Sequence, residues 1–562
     1  MQLLDWLILI GTLSFIVIYG YYKTTGSKNV KDYILGNNEA KWWTVGLSVM
    51  ATQASAITFL STPGQAFQDG MGFVQFYFGM PLAMIVICVT FIPIYHRLKV
   101  YTAYEFLENR FDQKTRSLAA ILFLIQRGLA AGITIYAPAI ILSSILGWNL
   151  KVLNVVIGLM VIIYTVSGGT RAVSVTHKQQ MFVIMLGMFA TFFLLLSYLP
   201  EGVNFSKALK IASAGDKMKI IDFSFDPANR YTLWSGLFGG FFLFLSYFGT
   251  DQSQVQRYLS AQSVRESRLG LLFNGIIKIP MQFFILLVGV MVFVFFQFNS
   301  SPLNFNPAAN KAVENSEYAQ QYSDLQIVYE QLEDKKKSLQ HTYSNILESE
   351  ASDVSKIKNQ LVSVNQHEKE IRREAKELIR AANGSVETND TDYVFIYFIL
   401  NNLPVGLIGL LLAVIFSAAM SSTSSELNAL ASTTVMDIYK RNLKTEQSEA
   451  HFLAASRWFT VMWGMIAILF ASFGTLFENL IQLVNIVGSI FYGTILGIFL
   501  IAFYIKSIKG ATVFWAALIA ESLIIALYFI NVISYLWLNV VGVFLVILIS
   551  LIIQKTLSKS IA

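Results

Sequence analysis

The chain has 562 residues, 55% of them hydrophobic and only 14% charged. Most of the apolar residues fall in runs long enough to cross a bilayer, which reads as a polytopic membrane protein. The net charge of +6 is spread through short connections without forming a patch, so no nucleic acid is expected as a partner.

Runs and breakers predict thirteen spans, at 3–22, 42–66, 73–95, 117–147, 150–168, 178–199, 232–255, 269–297, 402–435, 453–474, 477–504, 511–529 and 533–553. The first run carries Asp5, has no basic residue before it and is followed by Lys23, so it reads as a retained span and not a cleaved signal. Basic residues fill the connections after the odd spans: Lys28, Lys31 and Lys41, then Arg97, Lys99, Arg110, Lys114 and Arg116, then Arg171 and Lys178. Arg257, Arg265 and Arg268 follow the seventh span, Lys440, Arg441 and Lys444 the ninth, Lys506 and Lys509 the eleventh, and Lys555 and Lys559 the last. The short even connections hold almost none, which sets the N-terminus outside and the C-terminus in the cytoplasm. The single cysteine, Cys88, excludes an intrachain disulfide framework.

Two spans carry interruptions, and broken helices point to transport sites. In the second, small and hydroxyl residues crowd Ser48-Val49-Met50-Ala51-Thr52-Gln53-Ala54-Ser55 ahead of Pro63-Gly64. In the seventh, Ser246-Tyr247-Phe248-Gly249-Thr250-Asp251-Gln252 interrupts an aromatic run. Between the eighth and ninth spans the composition changes. Residues 299–395 are rich in Glu, Lys, Gln and Ser, and Leu325, Val328, Leu332, Leu339, Tyr343 and Leu347 space as heptad positions, followed by Ile357, Leu361, Val364 and Ile371. This external insert reads as a helical hairpin or coiled coil, either a solvated excursion or a docking element for another envelope protein.

The ninth span sets hydroxyls in a long apolar helix: Ser417, Ser421, Ser424, Ser425, Asn428 and Ser432 share one face. That face is too polar for lipid, and neutral oxygens at membrane depth suit a hard cation such as sodium. The same residues also suit close helix packing, with hydroxyls bonded back to the i−4 carbonyl. Two cations lie inside predicted spans. Lys278 is about ten residues in, ~15 Å deep, and is either a solute ligand or satisfied by carbonyls freed near Pro280. Arg127 could pair with a solute carboxylate or serve as a structural charge. Only five histidines occur, with no paired ligand spacing in a span, and no phosphate-binding Gly-Lys-Ser/Thr loop appears, which argues against an enzyme or an ATP-driven pump.

Taken in order, Gly168-Gly169-Thr170-Arg171-Ala172-Val173, Asp251-Gln252 with Gln256-Arg257-Tyr258-Leu259, the Ser421-to-Ser425 segment and Met436-Asp437-Ile438-Tyr439 resemble the sodium:solute symporter family. The resemblance implies an all-α fold of about 13 transmembrane helices with a five-plus-five inverted-repeat core, as in the leucine transporter fold. It divides the chain into a leading helix and loop (1–41), a first repeat (42–199), an external loop (200–231), a second repeat (232–298 and 396–506) around the insert (299–395), and C-terminal helices (507–562). It implies a sodium ion held by carbonyls of Ala51, Ala54 and Ala418 and hydroxyls of Ser421 and Ser422. A second ion site in some members would involve Ser424 and Ser425, but its carboxylate position here is His177, whose imidazole supplies no anionic ligand. For the solute the resemblance implies Lys278 as a sugar ligand and Tyr247 as an inner gate. Gln53, Thr58, Gln75, Gln482 and Asn485 lie on helices that line the family's cavity.

The expected function is sodium-coupled import of a small polar organic solute across the cytoplasmic membrane by alternating access, with a sugar or an acidic sugar such as sialic acid foremost. Uptake of a monocarboxylate or vitamin-like anion, or a transporter-derived solute sensor, are the alternatives.

Overall fold

A computed structural model of the chain describes residues 1–24, 30–347, 351–384, 386–442, 447–473 and 479–559. These are almost entirely helical, and the one extended pairing among them is an isolated bridge between Ala40 and Ala261. Nine helical stretches among the described residues are long and apolar enough to span a bilayer, and Leu3–Ile16, Leu150–Ile163 and Ser235–Gly249 are shorter apolar ones. The molecule is a multi-pass integral membrane protein. Of the residues used for orientation, Lys28 and Lys444 lie outside the described residues, as do the side chains of Lys23, Arg171 and Lys559 and those of the 168–173 motif.

The helices that frame the site are α1 (Leu3–Thr24), α2 (Trp42–Gln53), α3 (Ala56–Asp69), α4 (Gln113–Leu146), α5 (Leu150–Ser197), α6 (Gly240–Gly249), α7 (Gln252–Leu259) and α8 (Val264–Phe298). After the insert helices α9 (Ala319–Ile346) and α10 (Ala351–Ala382) come α11 (Leu407–Thr433), α12 (Glu449–Phe473), α13 (Leu480–Tyr504), α14 (Gly510–Ile530) and α15 (Tyr535–Lys559). One expectation is corrected. The connection placed between 150–168 and 178–199 is part of the continuous helix α5. Gly168 and Gly169 weaken a helix by only about 1 kcal/mol each, too little alone to end one whose other residues favour it.

The predicted second and seventh spans are both broken. Helix α2 ends at Ala54 (φ −86°, ψ 69°), and Ser55 runs extended before α3 begins. Helix α6 ends at Thr250, and Asp251 starts α7 by accepting from Ser253 N at 2.9 Å. Close packing holds the broken pieces: a Cβ on Gly289 of α8 would lie 2.2 Å from Pro63 O, and one on Gly64 would lie 2.0 Å from Thr391 O. Only glycine permits such backbone approach, the usual device of helix pairs in membranes. Helix α11 is buried on nearly all sides, and its start is capped from α1, where Asp5 Oδ1 accepts from Gly406 N at 2.6 Å and Gly409 N at 3.3 Å.

The insert folds α9 against α10 with a small core of its own that includes Leu303, Val313, Tyr322, Tyr329, Ile371 and Ile379. Of the heptad positions expected on α9, Tyr343 is buried, Leu325, Leu332, Leu339 and Leu347 pack against the cores, and Val328 is 46% exposed; Tyr322, Tyr329, Glu333, Lys336 and Gln340 are buried beside them. Charge pairing accounts for the buried polar members. Lys336 Nζ donates to Glu333 and to Glu368 Oε2 at 2.9 Å, and Arg372 donates to Glu368 Oε1 at 3.0 Å and Leu303 O at 2.8 Å. The aliphatic stems and Tyr329 pack around an ionic centre that an apolar pattern does not register.

Candidate functional site

The residues proposed for sodium meet where the break after α2 faces the hydroxyl stripe of α11. Ala51, Ala54 and Ala418 are buried, and Ala54 N–H still donates to Met50 O at 2.7 Å, closing the last turn of α2. Helix α2 lies against α11 there, with Thr52 Oγ1 3.5 Å from Ser425 Oγ. Ser422 Oγ donates to Ala418 O at 2.9 Å and Ser425 Oγ to Ser421 O at 3.0 Å. Those two hydroxyls bond back along their own helix, while Ser421 Oγ and Ser424 Oγ are buried with no hydrogen-bond partner among the described residues. Free hydroxyl oxygens beside unwound backbone are the material of an alkali-ion cage. His177, at the carboxylate position of the second ion site, is fully buried, with Nδ1 3.0 Å from Ser48 Oγ on α2.

Next to this lies a cavity between α2, α3, α4, α6, α11 and α13. Of the predicted solute residues, Gln53, Thr58, Arg127, Tyr247 and Asn485 line it. Three others do not. Gln75 stitches the 200–231 loop instead, donating to Tyr231 O at 3.1 Å and accepting from Asp222 N at 2.8 Å. Gln482 donates to Gln65 Oε1 at 2.9 Å and accepts from Arg230 Nη1 at 2.7 Å. Lys278 is fully buried behind the wall, its Nζ 5.9 Å from the centroid of the Tyr77 ring.

Sequence reasoning missed the ionic floor of this cavity. Arg127 Nη1 donates to Glu426 Oε1 at 3.1 Å, and Nη2 donates to Asp251 Oδ2 and to Tyr492 OH at 2.6 Å. Tyr492 OH donates a hydrogen bond to Asp251 Oδ2 at 2.8 Å. The guanidinium also lies 5.4 Å over the Tyr247 ring. Helices α4, α11 and α13 and the break before α7 thus converge on one cation. The signal was present: a buried membrane arginine needs counter-charges, and Asp251 and Glu426 both sit inside segments already singled out. Two other sequence motifs are structural. Asp437 accepts from Arg116 Nε at 2.7 Å and Thr102 Oγ1 at 2.8 Å, and Gln256 Nε2 donates to Ile34 O at 2.5 Å.

A multi-span helical protein with two interrupted helices and a polar, ion-paired cavity at their breaks is built like a membrane transporter. Residues 33–326 and 375–520 match the sodium:solute symporter family, and the chain belongs to that family of sodium-coupled transporters, not enzymes. It is 32% identical to sodium-coupled monocarboxylate transporter 1 of Xenopus laevis over 46% of this chain, and 30% identical to the human sodium/iodide cotransporter over 48%. Those matches span only 41% and 42% of the two relatives' own lengths. The sodium/sialic acid symporter SiaT of Proteus mirabilis (strain HI4320) is 23% identical over 96% of this chain and 92% of its own. A solved substrate-bound, outward-open structure of a sodium-coupled sialic acid symporter covers 99% of this chain and 98% of its own at a TM-score of 0.74 and 22% identity, and so shares the fold. The family match breaks off across 327–374, most of α9 and α10, and the comparisons give no support to the envelope-protein partner expected for that insert.

Proposed function

We propose that the chain is a sodium-coupled secondary active symporter that imports a small polar organic solute by alternating access, a sugar or an acidic sugar such as sialic acid foremost. In this reading the spans form a five-plus-five inverted repeat with flanking helices, set in the cytoplasmic membrane with the N-terminus outside and the C-terminus inside. Sodium is cargo, held by carbonyls of Ala51, Ala54 and Ala418 and hydroxyls of Ser421 and Ser422, with Ser424, Ser425 and His177 beside it. The observation that carries the reading is the meeting of the α2 break with unbonded hydroxyls of α11, next to a cavity lined by Gln53, Thr58, Asn485 and Arg127. Binding sodium across that junction favours one arrangement of the broken helix and thereby prepares the solute cavity. One sodium ion moving down ~100 mV and a tenfold gradient releases ~3.7 kcal/mol, enough for roughly 500-fold accumulation of a neutral solute. The full-length similarity to the Proteus sialic acid symporter supports the solute class. A monocarboxylate or similar anion is the second reading, supported by the 33% identity to mouse sodium-coupled monocarboxylate transporter 1 over 48% of the chain.

The test is thermal stability of the purified protein in sodium and in potassium, each against sugars, sialic acids, monocarboxylates and vitamins. Ligands that bind the folded state raise its apparent stability by mass action. A solute whose stabilisation appears only in sodium is the expected result. Stabilisation by solute that is equal in the two salts refutes coupling.

A further inference from the structure

The break before α7 is also bonded by residues 95–104, which lie outside the cavity lining. Gly249 O and Thr250 O stand at the open end of α6, where helical N–H donors run out. Two tyrosine hydroxyls take their place: Tyr95 OH donates to Gly249 O at 2.8 Å and Tyr104 OH to Thr250 O at 2.9 Å. Gln252, the first residue of α7, adds its amide, with Oε1 accepting from Ala103 N at 3.1 Å and Nε2 donating to Tyr101 O at 2.9 Å. From the same segment Thr102 Oγ1 donates to Asp437 Oδ1 at 2.8 Å, in the turn Thr434–Tyr439 that continues α11. Arg116 Nε, 2.7 Å from the same oxygen, anchors Asp437 independently. Tyr95, Thr102, Tyr104, Gln252 and Asp437 are all fully buried.

The cavity floor joins three pieces of chain: α4, which carries Arg127, α11 through Glu426, and the break through Asp251. Of these, Asp251 alone sits on interrupted backbone, so the floor parts most readily between the break and the two intact helices. Residues 95–104 cross that seam, in the connection of Arg97, Lys99 and Arg110 that the proposed topology sets in the cytoplasm. Four of their bonds run to the break and one to α11, so the segment travels with the break and the seam closes at Thr102 and Asp437. We propose that Thr102 is the positioning residue of an inner latch: its bond to Asp437 holds the break against α11 while the cavity faces outward, and parts when solute leaves toward the cytoplasm. The inference deepens the symporter reading and rests on it.

The test places one thiol on the cavity wall, Val484→Cys, in the full chain carrying Cys88→Ala, which removes the only native cysteine. A membrane-impermeant maleimide is applied to inside-out and right-side-out vesicles in potassium, and the ratio of cytoplasmic to external labelling rates is the readout. Thr102→Val keeps the side-chain shape and leaves Asp437 bonded to Arg116. Its ratio is expected to rise by about tenfold, the range of one hydrogen bond to a charged group, whereas Thr102→Ser should keep the parent ratio. If Thr102→Val does not fold, Tyr104→Phe, which frees Thr250 O but keeps the ring, should raise the ratio several-fold. General loosening of the fold speeds labelling from both faces and leaves the ratio unchanged. A ratio that is unchanged or falls in the folded variant, or that rises equally in Thr102→Ser, overturns the latch. Repeating the labelling in sodium tests the parent reading separately. A ratio that sodium lowers in none of the proteins refutes the symporter reading, whereas a sodium response with an unchanged Thr102→Val ratio refutes only the latch.

Discussion

Replacing Arg127 by methionine should be among the most destabilising single changes in the membrane core. Arg127 is 4% exposed, and its removal strips a cation from Asp251 at 1% and Glu426 at 6% exposure. The two carboxylates do not suffer equally. Asp251 keeps Tyr492 OH at 2.8 Å and the Ser253 N and Oγ donors at 2.9 and 2.6 Å. Glu426 loses its ion pair with Nη1 at 3.1 Å. Breaking a buried pair while leaving the partner charge behind costs about 3–5 kcal/mol. Neutralising that charge as well, in Arg127→Met with Glu426→Gln, should recover roughly 1–3 kcal/mol, the coupling typical of directly bonded residues. Equilibrium unfolding in a fixed lipid and detergent mixture, run as a double-mutant cycle, measures both quantities. A loss below about 1 kcal/mol for Arg127→Met, or a double variant whose loss equals the sum of the singles, would refute the view that these charges hold one another in place.

Three further outcomes follow from the same reasoning. Ser421→Ala, and more strongly Ser421→Ala with Ser422→Ala, should raise the sodium concentration needed for half-maximal stabilisation by about tenfold or more while the protein still inserts and folds; an unchanged sodium midpoint in the double variant contradicts the ion site. In the insert, burial alone would raise the Glu368 carboxyl, but Lys336 and Arg372 hold it down at about 2, against 4.5 for an ordinary Glu. A depressed carboxylate stabilises the fold above its unfolded value and loses that contribution as pH falls, so hydrogen exchange of α9 and α10 should quicken between about pH 4.5 and 2, and Glu368→Gln should flatten that dependence. Gly289→Ala should cost about 1–3 kcal/mol in thermal or chemical unfolding, because its Cβ would lie 2.2 Å from Pro63 O and neither backbone can yield freely.

The spans, the two helix breaks and the polar face of α11 were legible because each is a local pattern: a run length, a cluster of small residues, or a helical period. The ionic floor was not, because Arg127, Asp251 and Glu426 are separated by 124 and 299 positions from arginine to each carboxylate, and no periodicity links them. Gln75 and Gln482 were placed on the right helices but at the wrong height. Both lie toward the loop that holds Tyr231 and Arg230, and their amides are used there. On α9 the apolar heptad found Leu325, Leu332, Leu339, Tyr343 and Leu347, but not the buried Tyr329, Glu333 and Lys336 beside them. A hydrophobic pattern cannot foresee that when the partners wait on another helix.

The insert also leaves and rejoins the membrane core at nearly the same place. Phe305 N donates to Asp390 Oδ2 at 3.1 Å, and Asn306 Nδ2 to Glu387 O at 3.1 Å, so the entering and departing strands of chain are laced together at the base. Once those ends are joined, the cost of whatever hangs beyond them grows only as the logarithm of its length, about 0.6 kcal/mol for each doubling. Added length in the hairpin is therefore cheap, and a graft into it, such as a fluorescent module or an affinity handle, should leave the helices below in register as long as the residues packed on the membrane core, Tyr343 and Leu361 among them, are kept.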